Sequence, residues 1–445
     1  MLTGFPGTTS YPECFLKFPD VCRLYKLTHG IAMPLDLQLH RVKKLLTLSG
    51  NPQYKPQFIH IAGTNGKGSV CSYLSHILSA SGIRNGRFNS PHSITPRDSI
   101  QIDNVPASSS LYEKCKEIIA DTNAKHKVGC TEFELLTCTA FQIFAEAKVS
   151  IAILEVGVGG RLDATNVLAP DRTLVVGITK VGLDHQNLLG KTLSEIAFQK
   201  VGIFKKGVPA VVDGSNVESV LKVAEAESKD VGCPLYVVKR EEDCWVTPKL
   251  LGDYQFDNLS VALKIASLLD DDRITRDTIK KGVESTVWAG RLQEYSFNMR
   301  SLGFEEDRPL DILLDGAHNT QASIELGKYL KTLRNDNDFI FIIAITQGKN
   351  LSALFKPIIT FKDSIIFTQF DDKVEGMPWI KPFDVLDLKK EIETQKIEHA
   401  DVYTCPQLKD AIFQAYKLSQ VTKKKVVVCG SLYLVADVLR LQLDS

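Results

Sequence analysis

The sequence predicts an α/β protein in two successive parts: a P-loop-type nucleotide-binding part with a mainly parallel sheet, then a smaller Rossmann-like α/β part. Three observations predict it. Short apolar runs alternate with segments of helical periodicity along most of the chain. A strand–glycine turn–helix junction at residues 58–80 has the geometry of a phosphate cradle. The pattern breaks at Trp288-Ala289-Gly290-Arg291, and after a polar stretch to Pro309 a second strand–helix series begins.

The junction carries the strongest signal. Phe58 to Ala62 reads as a buried strand, and Gly63, Gly66 and Gly68 surround Lys67. Val70, Tyr73, Leu74, Ile77 and Leu78 then recur at helical spacing. Glycines let backbone N–H groups turn toward an anion, the helix N-terminus adds its dipole, and the lysine supplies a full charge. The strict P-loop form is not met: Gly68 separates Lys67 from Ser69, and the first glycine stands one residue closer. An ordinary glycine turn is the competing reading; the lysine and both flanks favour a nucleoside triphosphate.

The 445 residues exceed one typical core, which implies two or three domains. We expect an N-terminal extension over 1–33, a central part over 34–290 and a C-terminal part over 291–445. With 44% hydrophobic and 24% charged residues the composition is that of a soluble globular protein. Fifty-three basic residues balance fifty-three acidic ones, so no electrostatic argument favours nucleic acid or a membrane surface. No apolar run approaches a membrane span. The ten cysteines are scattered without a C-x-x-C pair, as in a reducing compartment. The first thirty residues resemble neither a signal peptide nor a transit peptide. A cytoplasmic location is expected, with a mitochondrial pool as the alternative.

In chain order, Leu35, Leu39, Val42 and Leu45 mark a helix before the glycine turn. A short strand near Phe88 leads to the loop Asn89-Ser90-Pro91-His92, and a second strand covers Ser99 to Ile102. Helices are expected over 111–121 and from Thr131-Glu132-Phe133-Glu134 onward. Buried strands follow at Ser150 to Leu154, ending on Glu155, and at Leu174 to Ile178. A helix spans Asp257 to Leu269. In the second series Ile312 to Leu314, Phe339 to Ile345, Ser364 to Thr368 and Lys425 to Cys429 read as strands, with a helix from Thr320. In such folds ligands gather outside the carboxyl ends of strands, where the glycine turn, Glu155 and Thr179 all fall.

Several residues there could carry chemistry. Glu155 is placed to be a hard-oxygen Mg²⁺ ligand beside a triphosphate, or else to pair with Arg161. His185 follows a strand at the same edge; a structural histidine is the alternative. The helix opened by Thr192 and Glu195 in capping-box spacing places Lys200 on its apolar stripe with Leu193, Ile196, Ala197, Val201 and Phe204. A buried unpaired ammonium is costly, so Lys200 either snorkels to solvent or has its charge altered, as by carbamylation with CO₂. Asp315 to Asn319 ends a strand before a helix, and Arg291 sits at the part junction. Both are placed to reach a nucleotide, with a helix cap and an interdomain salt bridge as the alternatives. Gly430-Ser431 reads as fold architecture.

Taken together these segments resemble the folylpolyglutamate synthase/dihydrofolate synthase family, relatives of the Mur peptide ligases. The resemblance rests on Gly63 to Ser69, Ser90-Pro91-His92, Glu155 to Asn166, Asp184-His185, Lys200 to Ile203, Gly290-Arg291 and Asp315 to Asn319, in family order over most of the chain. The stretches Thr131 to Phe141 and Val374 to Ile380 are similar to fungal members of the dihydrofolate synthase branch. Three positions depart from the family pattern: Gln199 and Val201 flank Lys200 where Glu and Ala are usual, and Ala289 stands where proline is common.

The resemblance implies a Mur ligase-like, ATP-dependent enzyme joining L-glutamate to 7,8-dihydropteroate through an acyl phosphate. Thr64, Asn65, Gly66, Lys67, Gly68 and Ser69 would hold the ATP phosphates, with Asn258, Arg291 and Asp315 completing the nucleotide site. It implies two Mg²⁺ ions, one on Ser90 and Glu155 and a second on Glu155, His185 and carbamylated Lys200. The pterin would lie near Thr131, Glu132, Phe133 and Glu134 and near Leu162, Asp163 and Ala164. Lys67, Lys200 and His318 would be the catalytic residues. Partners are small molecules, with no nucleic acid and no membrane, and a monomer is expected. Two other functions fit the same residues: glutamate addition to tetrahydrofolate, and a nucleotide-binding regulator without turnover.

Overall fold

The structure, a computed structural model, describes residues 39–92, 94–240, 245–303, 308–334, 338–371, 374 and 380–443. The expected extension over 1–33 and residues 375–379 of the Val374 to Ile380 stretch lie outside the described residues.

The first sheet has eight strands: β1 (Gln57–Ala62), β2 (Asn85–Phe88), β3 (Ile100–Ile102), β4 (Val105–Pro106), β5 (Ile151–Glu155), β6 (Thr173–Ile178), β7 (Ala210–Asp213) and β8 (Leu235–Val238). Their order is β4-β3-β2-β5-β1-β6-β7-β8. From β2 to β8 neighbours run parallel, while β3 and β4 add an antiparallel edge. The glycine-turn strand β1 is therefore central, flanked by β5 and β6. The carboxyl ends of β1, β2, β5 and β6 share one edge, which brings Gly63, Asn89, Glu155 and Thr179 together.

Side-chain alternation explains why both faces are covered. On β1, Ile59 and Ile61 pack under the helices Lys67–Ala80, Tyr254–Ser267 and Arg276–Ser285. Phe58 turns the other way, into a core with Phe88, Phe141 and Phe144, and its ring meets Phe141 edge-on at 5.5 Å. Fully burying one such side chain contributes roughly 1.5–3 kcal/mol. That core is closed by the helices Leu39–Leu48, Ser109–Lys125 and Glu132–Glu146.

The second sheet comprises β9 (Gln293–Phe297), β10 (Leu310–Leu314), β11 (Phe339–Ile343), β12 (Ser364–Phe367), β13 (Val402–Thr404) and β14 (Lys425–Cys429), in the order β13-β12-β11-β14-β10-β9. Only β9 is antiparallel to its neighbour. Two apolar cores sandwich it, one around Phe339, Phe341 and Phe367 and one around Ile340, Ile342 and Val428.

The strands expected from apolar runs are all present. The polar stretch after Arg291 differs: it contains β9, whose half-buried and exposed residues alternate up to buried Phe297, as befits a half-covered edge strand. The strands β7, β8 and β13 are only four, four and three residues long, too short for a period to stand out in the sequence. Among the described residues no helix is long and apolar enough to cross a membrane.

Candidate active site

The glycine turn begins where β1 ends. Gly66 adopts φ 91°, and a Cβ there would lie 2.1 Å from Asn258 Oδ1, so the position requires glycine on two counts. The helix Lys67–Ala80 starts immediately, leaving its first N–H groups without intrahelical acceptors. Thr64 and Asn65 play a different part from that expected. Both backbone N–H groups donate to Lys180 O, at 2.8 and 3.1 Å, and the Thr64 hydroxyl bonds to Gly182. These two residues pin the turn to the end of β6, and the free donors lie at its helical end.

Gly68, the residue that breaks the strict P-loop form, has a packing explanation. A Cβ on it would lie 2.4 Å from the Trp288 ring. The sequence interruption exists because an aromatic ring lies against the first turn.

Lys67 Nζ stands 3.5 Å from Glu155 Oε1 and donates to Thr64 O at 3.2 Å. The other Glu155 oxygen accepts from Asn89 Nδ2 at 2.6 Å. Glu155 is thus oriented by its neighbour strand β2, one residue before Ser90. Arg161 is elsewhere: it pairs with Glu227 at 2.7 Å and stacks over Phe198, which removes it as the Glu155 partner.

Lys200 is buried, at 4% exposure, so it does not snorkel. Its Nζ donates to Gly63 O at 2.7 Å. Burial, helped by the Lys67 charge, lowers its pKa to about 7, leaving much of the amine neutral at physiological pH. His185 lies at the surface in a left-handed conformation at φ 50°; desolvation of its ring lowers its pKa, with Lys349, Lys200 and Lys67 adding to that and Asp184 opposing it. Among the described residues no three His, Cys, Asp or Glu side chains gather as a metal site. Glu155 and His185 therefore fit a metal only if another oxygen donor joins them.

The second sheet closes over the same edge. Asn319 caps the helix Thr320–Leu333 through Ala322 N–H, and its Nδ2 donates to Asn65 Oδ1 at 3.1 Å. Asn65 Nδ2 donates in turn to Gln321 at 2.8 Å. Asp184 receives Lys349 Nζ at 3.0 Å and has His318 Nε2 at 3.8 Å. Burial would raise its carboxyl pKa, but His185, Lys349 and His318 outweigh that and hold it well below the usual range. His318 Nδ1 bonds to Gly316 O at 2.8 Å, which assigns the proton to Nδ1 and leaves Nε2 a bare acceptor. Burial, with the Lys349 charge, lowers this histidine to about 4, so it is neutral.

Asp315 is buried, accepting from Leu292 N–H at 2.9 Å and Ala317 N–H at 2.8 Å. Arg291 Nη1 donates to Gly290 O at 2.9 Å and faces Asp315 electrostatically. Asn258 lies against Gly66 and donates to Gln255, which reaches Ser69 Oγ at 3.3 Å.

The expected pterin residues divide. Phe133 stacks on Phe88 at 6.0 Å and its ring lies against Gly157, so it faces the loop after β5. Leu162 is exposed at 45%. Glu134 is not open to a ligand. It is buried, bonded by Arg41 Nε and Nη2 at 3.0 Å each, and closes a capping box with Thr131. Asp163 is consumed likewise, by Val158 N–H, Thr165 N–H and Thr165 Oγ1. Because Thr165 spends its proton on Asp163, its oxygen accepts from His60 Nε2 at 2.8 Å; His60 Nδ1 has no partner. Ala164 is buried, whereas Thr131 and Glu132 are exposed at the helix start.

Sequence reasoning missed Asn89, Gln255, Trp288, Gln321 and Lys349. Asn89 and Trp288 stand in segments the sequence marks only as a loop and a part boundary, and sheet order alone brings the five to this edge.

A central parallel sheet, a lysine-bearing glycine turn at its carboxyl edge and a second α/β sheet closing over it are the architecture of a nucleotide-binding protein of the ATP-dependent ligase class. The comparisons narrow that class. A family model described as "Dihydrofolate synthetase, C-terminal domain" matches residues 300–441. The dihydrofolate synthetase of Saccharomyces cerevisiae is 39% identical over 425 residues, covering 92% of this chain and 98% of its own length. The probable dihydrofolate synthetase of Schizosaccharomyces pombe is 38% identical, covering 93% and 100%. Mycobacterium tuberculosis folylpolyglutamate synthase, solved with ADP and AMPPCP, superposes with TM-score 0.75 at 25% identity, covering 91% of this chain and 95% of that one. The chain belongs to the folylpolyglutamate synthase/dihydrofolate synthase family.

Proposed function

We propose that this protein joins L-glutamate to 7,8-dihydropteroate, with ATP converted to ADP and phosphate. The observation that carries the reading is the cradle formed by the helical end of the glycine turn, Lys67 and the Asn89-held Glu155, faced by Asp184, His318 and Lys349. The match to two fungal relatives over nearly their full length supports the substrate.

A carboxylate is a poor electrophile, so the pteroate carboxylate first attacks the terminal phosphorus of ATP, and ADP leaves. The glutamate amine then attacks the acyl phosphate carbon, and phosphate leaves with the bonding pair. Lys67 and the first-turn N–H groups hold the phosphates in place and offset charge on the transferring group. The amine's proton leaves with the phosphate or to water, because His318, lowered to about 4, is too weak a base to keep it; its Nε2 lone pair can orient the incoming amine by accepting a hydrogen bond. Asn65, Asn319 and Gln321 tie the second sheet to the glycine turn, a closure that would hold the acyl phosphate away from bulk water.

Ser90 and Glu155 would hold one Mg²⁺, and Glu155, His185 and Lys200 a second. When bound, Mg²⁺ neutralises phosphate charge and aligns the in-line oxygens. Lys200 joins such a set only as a carbamate. Its neutral amine attacks CO₂ and loses a proton, giving an anionic oxygen ligand; depression to about 7 supplies that neutral amine.

The test is an assay of purified protein with ATP and glutamate plus either dihydropteroate or tetrahydrofolate. Glutamate-dependent ADP release with dihydropteroate is expected. Activity on tetrahydrofolate alone would transfer the protein to the polyglutamate-extending branch.

A further inference from the structure

Beneath the glycine turn lies a cation that the chemistry above does not use. Arg87 sits on β2 and is 3% exposed. Strand alternation turns it toward the helix Lys67–Ala80, opposite to its neighbour Phe88. Its partner across the antiparallel pair is Gln101, whose Oε1 accepts from Nη2. Nε and Nη1 have no hydrogen-bond partner. The guanidinium carbon lies 4.9 Å from the centre of the Trp288 ring.

A guanidinium buried with two unpartnered nitrogens, which carry three N–H bonds, works against stability. An apolar side chain of similar length would fill the space at lower cost. Burial lowers the arginine only to about 10, so the charge persists at neutral pH. Its surroundings show what that charge could serve. The Trp288 ring that it stacks on is the ring lying against Gly68. The carboxylate whose field reaches it is Glu155, held by Asn89 two residues further along the chain.

We propose that Arg87 is a positioning residue of the triphosphate site: it seats the Gly66–Ser69 turn through Trp288 and adds a hidden positive charge beneath the polyphosphate. The inference rests on the ATP reading of the cradle. Arg87 is held back from the surface, so it touches no reacting atom; it acts through the ring and through its field.

The test compares Arg87→Met and Arg87→Lys with the wild type in the full chain. Binding of a non-hydrolysable ATP analogue and of AMP is measured by calorimetry, and urea midpoints are measured in parallel. Arg87→Met should bind the ATP analogue about tenfold more weakly, the scale of one charge acting through protein at moderate distance. Its AMP affinity should change less, its KM for dihydropteroate should stay constant, and its urea midpoint should equal or exceed the wild type. Arg87→Lys should recover part of the analogue affinity. Unchanged analogue affinity in a folded Arg87→Met would overturn the inference alone. So would a lowered midpoint in both variants with equal loss of both nucleotides, the signature of a packing role. A wild type that fails to bind the analogue removes the ATP reading and this inference with it.

Discussion

Lys200 Nζ donates to the carbonyl oxygen of Gly63 across 2.7 Å, joining the helix Leu193–Val201 to the first residue of the glycine turn. A lysine on the buried stripe of a helix thereby reaches the glycine turn. Replacing it with alanine should lower turnover about a hundredfold or more if it supplies a metal ligand, the upper range for losing a metal-site group. Short carboxylates such as acetate or formate should restore part of the rate. A fully active, unrescued Lys200→Ala enzyme would rule out the carbamate.

Gly68 presses against Trp288. Gly68→Ala must displace the ring or the turn, and overpacking of this kind costs about 1–3 kcal/mol. Nucleotide affinity should fall by about tenfold to a hundredfold. Adding Trp288→Leu should return part of it by making room for the methyl group. Equilibrium titration with an ATP analogue measures both; an unaltered Gly68→Ala would show that the turn relaxes freely.

Glu134 is expected to behave as a structural residue. Glu134→Ala leaves Arg41 without its buried carboxylate, a loss of about 3–5 kcal/mol. Urea denaturation should report that loss, with little change in KM for dihydropteroate in the fraction that stays folded. A raised KM at unchanged stability would restore Glu134 to the substrate site.

Acid should weaken the fold through His60. Burial, with Lys205, holds its pKa well below 6.5 in the native state. The unfolded chain therefore binds the extra proton first as pH falls, and ΔG of unfolding declines from about pH 6.5 down toward the native value. One such group contributes at most about 1.4 kcal/mol per pH unit. His60→Gln keeps a donor for Thr165 without a titrating ring. Denaturation at pH 7, 6 and 5 should show a shallower acid decline in this variant; parallel slopes would assign the acid sensitivity to other groups.

Much of this architecture is legible before any coordinates. Local patterns encode it: Phe58 to Ala62 is apolar except for His60 and buried throughout because β1 is covered on both faces, and the Thr192–Glu195 capping box starts its helix where the sequence places it. Helical phase places Lys200 on the apolar stripe but leaves open whether its head snorkels out; the carbonyl of Gly63, reached only in the folded chain, decides that it stays inside. Partner choice was beyond such reading. Glu155 meets Asn89 and Lys67 rather than nearby Arg161 because β5 lies between β2 and β1, an order that sequence does not print. Glu134 and Asp163 looked like ligand groups until Arg41 and Thr165, brought by packing, consumed their oxygens. The extra glycine of the cradle is visible in sequence, but its cause, the ring of Trp288 more than two hundred residues away, exists only once the helices close over the sheet. Backbone conformation and burial are set by neighbours along the chain; electrostatic and steric partners are set by neighbours in space.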